Sequence, residues 1–182
     1  MNNRKVYISG EIVPEVDAKI SIFDSAVLLG DTVTESTRTF NFKPFKLDEH
    51  LERLYKSFKL TRIDPQMTIE EMKKVSLELL EINKDNYKAN EDCWLVHNIS
   101  RGHSITGGNP ALQVSKPTVM IYTQPMNLVL WAPFYTKGCH AVTPPTRMVP
   151  SQSLDARIKN RSRLFYTLAE IEAKLVDPDE QS

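Results

Sequence analysis

Apolar and polar positions alternate from the start of the chain. Val6 and Ile8, then Ile12 and Val13, flank Ser9-Gly10-Glu11, which predicts two short strands joined by a tight hairpin. Residues 34–40 followed by Pro44-Phe45 predict a second hairpin around Asn41-Phe42-Lys43. The period then changes. From Asp48 to about Leu60, Leu51, Leu54 and Phe58 recur at helical steps, and Arg53 lies beside that stripe. Thr68-Ile69-Glu70-Glu71 is a capping box in which hydroxyl and carboxylate each satisfy an amide at the helix start, and Met72, Val75, Leu79 and Ile82 mark the face that follows. Residues 94–99 and 118–123 read as strands, the first with Leu95, His97 and Ile99 on one side and Trp94, Val96 and Asn98 on the other. Between them lies a glycine-rich loop, residues 100–110.

Two prolines between residues 124 and 133 punctuate the pattern, so an interdomain linker is expected at 127–133. It separates a small domain, 1–126, from a second, 134–182. In the second, residues 138–143 predict a strand, Pro144-Pro145 and Pro150 an extended connection, and Leu164, Leu168, Ile171 and Leu175 a helix.

Composition narrows the function classes. The 182 residues carry 23 basic and 23 acidic side chains, so no global field attracts nucleic acid or an anionic membrane. The basic cluster Arg157, Lys159, Arg161 and Arg163 has no aromatic stacking platform beside it, which argues against a nucleic-acid patch. The longest apolar run, residues 128–134, is far shorter than the roughly 20 residues of a membrane span. The amino terminus turns polar before a signal-peptide core could form, and Cys93 and Cys139 read as reduced packing residues, so the cytoplasm is the expected compartment. His97, His103 and His140 lack metal-ligand spacing.

Three segments carry the candidate chemistry. Leu154-Asp155-Ala156-Arg157-Ile158-Lys159-Asn160-Arg161 places one lysine between a proline-rich stretch and a helix. Its cationic neighbours favour a neutral, nucleophilic amine. Lys46-Leu47-Asp48-Glu49-His50-Leu51-Glu52-Arg53-Leu54 sets Arg53 on the first turns of a helix, where its fork can grip a phosphate or else pair with Glu49 or Glu52. Ala26-Val27-Leu28-Leu29-Gly30-Asp31-Thr32-Val33-Thr34-Glu35 supplies small residues, a glycine and then a glutamate. His50 reads as a capping or packing residue.

In their order along the chain the three segments resemble the branched-chain aminotransferase-like (fold type IV) enzymes that depend on pyridoxal 5'-phosphate. The resemblance runs from about Val6 to about Lys174. It implies an α/β (α+β) fold: a small two-layer α/β domain, then the start of a larger pseudo-barrel α/β domain, cut short relative to the family. It implies that Lys159 is the Schiff-base lysine and that Arg53 holds the cofactor phosphate. Thr34 stands where many relatives have an aromatic ring, and Leu164 where branched-chain enzymes have tyrosine. Thr34, Arg38, Arg101 and His103 are the implied substrate-pocket residues, the last two as an improvised carboxylate trap. The family's later E-G-x-x-x-N segment is absent from these residues, which points to a fragment of a longer enzyme.

The activity implied is transfer of an amino group between an amino acid or amine and a 2-oxo acid, in a homodimer whose 102–109 loop lids the neighbour's site, with no nucleic-acid, membrane or metal partner. Two alternatives stay open: an aminodeoxychorismate lyase-like enzyme, and a non-catalytic fragment.

Overall fold

The computed structural model describes residues 3–88, 91–103 and 116–178. The chain forms two compact units, Met1–Met126 with Arg157–Arg161, and Asn127–Ala156 with Ser162–Ser182. Residues 127–133, expected to be a linker, fall inside the second.

The first unit is a six-stranded antiparallel sheet with helices on one face. Strands β1 (Lys5–Ile8) and β2 (Glu11–Pro14) form the first expected hairpin, turned by Ser9 and Gly10 at positive φ. The second joins β3 (Thr32–Phe40) to β4 (Lys43–Pro44). Its two-residue turn puts Asn41 at φ 50° and Phe42 at φ 61°, the left-handed pair that matches the twist of a hairpin. A phenylalanine there is strained. Asp92 offsets that cost: its carboxylate accepts from the Phe42 N–H at 3.2 Å and the Thr39 hydroxyl at 2.9 Å. Strands β5 (Cys93–Ser100) and β6 (Thr118–Pro125) complete the order β2-β1-β6-β5-β3-β4.

Helix α1 is the short Ser25–Leu28 turn. Helices α2 (Leu47–Thr61) and α3 (Ile69–Asn83) lay Leu51, Leu54, Phe58, Met72 and Leu79 onto Val33, Leu95, Ile99 and Ile121 of the sheet. Each such side chain contributes about 1.5–3 kcal/mol on burial. The capping box at Thr68 forms as expected. The buried face of α3 differs from its apolar pattern: Ser76 and Asn83 lie inside while Ile82 is exposed. Both polar residues are matched by partners. Asn83 exchanges two hydrogen bonds with the backbone of Lys5, and the Ser76 hydroxyl donates to the Met72 carbonyl at 2.7 Å while meeting His97 Nε2 at 2.8 Å.

The outer edge of β3 has a further partner that local pattern does not announce. Asn160 bridges Val33 in antiparallel fashion, the Thr34 N–H donates to the Lys159 carbonyl at 2.8 Å, and the Arg161 N–H donates to the Thr32 carbonyl at 2.9 Å. A segment more than a hundred residues downstream thus continues the sheet beside β3, and it belongs to the first unit for that reason.

The second unit contains α4 (Phe134–Lys137) and α5 (Leu164–Val176). Residues 138–143, predicted as a strand, are irregular. A strand needs a ladder partner, and this unit holds no other strand among its described residues. Thr146 instead binds Glu172 through its N–H (3.0 Å) and hydroxyl (2.8 Å), and His140 pairs with Asp177. Cys139, expected to pack, is exposed on this irregular stretch, whereas Cys93 is buried and its thiol is pushed up to about 11 by desolvation.

Candidate active site

Lys159 and Arg53 come together in the first unit. Arg53 faces the sheet from the second turn of α2, and its guanidinium meets the carboxylate of Glu35 on β3: Nε donates to Oε2 at 2.7 Å and Nη2 to Oε1 at 2.6 Å. His50, one turn earlier, lies with Nδ1 3.0 Å from Glu35 Oε1, and the Ser36 N–H donates to the same oxygen at 2.9 Å. Glu35 is wholly buried, while the Arg53 side chain is 52% exposed. Burial pushes the Glu35 carboxyl up, but the bonds from Arg53, Ser36 and His50 outweigh it and hold the group below the ordinary carboxylate range. The same pairing holds the Arg53 guanidinium above its ordinary value. Arg53 therefore pairs with neither Glu49 nor Glu52.

Lys159 is half-buried and its backbone is pinned on both sides. Its carbonyl accepts from Thr34, and its N–H donates at 3.3 Å to the hydroxyl of Ser57, which donates in turn at 3.1 Å to the Arg53 carbonyl. Two hydrogen bonds through one buried serine join the two residues expected to hold the cofactor.

The other candidates lie in different surroundings. Thr34 is buried beside Lys159, with its hydroxyl donating to the His97 carbonyl at 3.0 Å. Arg38 sits four residues further along β3, its guanidinium 3.8 Å from the centre of the Phe40 ring. Arg101 pairs with Asp31 at 2.8 Å and donates to the Thr61 and Arg62 carbonyls, orphan acceptors at the end of α2. His103 bridges Asp24 through the backbone and meets the edge of Phe23. The remainder of the expected lid, residues 104–109, lies outside the described residues. No group of three His, Cys, Asp or Glu suited to a metal ion occurs among the described residues, and no helix among them is long and apolar enough to cross a membrane.

Glu35 entered the sequence analysis only as the last residue of a motif, with no role, and Ser57 not at all. A signal for Glu35 was present: it shares its strand face with Val33, Thr37 and Thr39, and a carboxylate on a core-facing position requires a cationic partner. Ser57 offered none, since a helix serine bonded to the carbonyl four residues back is common.

Known proteins match this chain in sequence and in fold. The family model for class IV amino-transferases matches residues 32–181. A Methanocaldococcus jannaschii protein inferred to be a branched-chain-amino-acid aminotransferase is 36% identical over 97% of this chain and 58% of its own length. A Staphylococcus epidermidis D-alanine aminotransferase is 32% identical over 66% of this chain and 41% of its own. The crystal structure of the branched-chain aminotransferase from the thermophilic archaeon Thermoproteus uzoniensis with norvaline superposes with a TM-score of 0.73 at 24% identity, covering 97% of this chain and 57% of that one. The chain is thus matched over 41% to 58% of the length of these relatives, with the fold type IV architecture. On the match across its residues 32–181, the chain belongs to the class IV aminotransferase family.

Proposed function

We propose that the protein is a pyridoxal-phosphate-dependent aminotransferase, moving an amino group between an amino acid or amine and a 2-oxo acid. The observation that carries the reading is the joining of Lys159 to Arg53 through Ser57 on one sheet-and-helix unit. A lysine and an arginine anchored on one unit are the residue types that the carbonyl and phosphate ends of the cofactor call for. Glu35 occupies Nε–H and one Nη2–H of Arg53, Nη2 also lies 3.3 Å from His50 Nδ1, and the Nη1 side of the half-exposed guanidinium is the part that would face phosphate oxygens.

When bound, the cofactor supplies the electron sink for the substrate carbanion. The chain's residues do the rest. Arg53 grips the phosphate with charge-assisted hydrogen bonds, and Glu35 keeps its fork in one plane. Lys159 would hold the cofactor's carbonyl end through its amine, and the same Nζ would serve the substrate α-carbon as general base and acid. Thr34, next to Lys159 on β3, and Arg38 beyond it are the nearest candidates for shaping the substrate side. Arg101 and His103 would reach a substrate carboxylate only after leaving Asp31 and the Asp24 bridge.

Support for a homodimer comes from the family alone. The free cysteines are compatible with a reducing compartment such as the cytoplasm. Borohydride reduction of the cofactor-loaded protein, followed by peptide mapping, tests the central assignment: the label is expected on Lys159. A label on another lysine, or none, overturns it. Stoichiometric consumption of a 2-oxo acid in the same preparation distinguishes transfer from elimination.

A further inference from the structure

Ser57 is a fully buried side chain whose hydroxyl has one proton and two lone pairs. The proton goes to the Arg53 carbonyl, as in many helix serines, and that bond alone would carry no meaning for the site. The second bond differs, because it comes from the N–H of Lys159, 102 residues away in sequence. With Glu35 it completes a closed circuit. Lys159 N–H donates to Ser57, Ser57 to the Arg53 carbonyl, the Arg53 fork to Glu35, and the N–H of Thr34, the neighbour of Glu35, back to the Lys159 carbonyl. The strand side of this circuit fixes Lys159 along β3. The serine side fixes it along α2, which fixes its position relative to Arg53.

We infer that Ser57 is a positioning residue: it sets the spacing between Lys159 and Arg53 so that the amine meets the cofactor's carbonyl while the phosphate is seated. The inference rests on the proposed function, and it makes a claim that a merely structural serine would not. A cofactor gripped at both ends is sensitive to displacements of about 1 Å. Without Ser57, the phosphate should lose part of its ability to help the amine react.

The test compares Ser57→Ala with Ser76→Ala in the full chain. Ser76 is an equally buried helix serine with the same bond to the carbonyl four residues back, but it lies on α3 and does not touch Lys159. Two quantities are read. One is exchange of the Lys159 amide in cofactor-free protein, which should be slow in the parent, about tenfold faster in Ser57→Ala, and unchanged in Ser76→Ala. The other is the preference of Lys159 for pyridoxal phosphate over pyridoxal, measured by borohydride trapping, which should fall about tenfold in Ser57→Ala alone. Rapid exchange of the Lys159 amide in the parent overturns the inference, as does an unchanged preference in Ser57→Ala, or an equal fall in Ser76→Ala. A parent that traps neither aldehyde at Lys159 overturns the proposed function, and this inference falls with it.

Discussion

A carboxylate at zero exposure is the residue on which the site depends. Glu35 stays ionised inside the fold because Arg53, Ser36 and His50 all donate to it, and removing its charge leaves Arg53 without its anchor. Glu35→Gln is expected to lower stability at neutral pH by about 1–2 kcal/mol, less than for a wholly buried pair because Arg53 is half-exposed to screening. The sign follows from the depressed folded-state value: the charge stabilises the fold above the unfolded carboxyl's ~4.3 and stops doing so as pH falls through the lower folded value. Urea unfolding of parent and variant should therefore show a gap at neutral pH that closes on acidification. A gap that stays constant into acid would show that Glu35 acts by shape and not by charge.

At the scale of elements, the connection after β5 is constrained by its backbone. Gly102 has φ 100°, its carbonyl accepts from Ser25 at 2.9 Å, and an added Cβ would lie 1.9 Å from the Lys116 carbonyl oxygen. Neither neighbour is a flexible tip that can swing away. Gly102→Ala should therefore cost about 2–6 kcal/mol, the sum of a strained dihedral and an overpacked contact. Gly30→Ala serves as comparison, since Gly30 has positive φ but nothing within 4 Å of the added carbon, and should cost only about 1 kcal/mol. Chemical denaturation of the two variants checks the ordering; equal losses would mean that the close approach to Lys116 is absent in solution.

At the scale of the whole first unit, a core histidine is expected to make stability depend on pH. His97 is fully buried on β5, and because the Ser76 hydroxyl gives its proton to Met72, Nε2 must donate to Ser76 and Nδ1 is left unprotonated. Desolvation lowers its pKa to about 4, partly countered by Glu35. Between the unfolded ~6.5 and that value the unfolded chain binds a proton that the folded chain refuses, so stability is complete above ~6.5 and declines as pH falls. The loss from neutral pH to about pH 5 is expected to be about 2 kcal/mol. Equilibrium unfolding across this range should show the slope in the parent and a flatter one in His97→Gln. An unchanged slope in the variant would assign the effect elsewhere.

Periodicity by itself determined both hairpins, the two long helices with the capping box at Thr68, and strands β5 and β6, because each is encoded by contacts within a few residues. The family motifs marked Lys159 and Arg53 for the same reason: short segments carry them. Four features were decided only by tertiary structure. Glu35 pairs with Arg53 because strand and helix meet across 18 residues, the buried face of α3 rotates toward Ser76 and Asn83 because His97 and Lys5 await them, and residues 138–143 remain irregular for want of a strand to pair with. The joining of Lys159 to Ser57 is the furthest from local pattern. A backbone N–H bonds whichever acceptor the folded chain brings near, and no spacing in sequence records that choice.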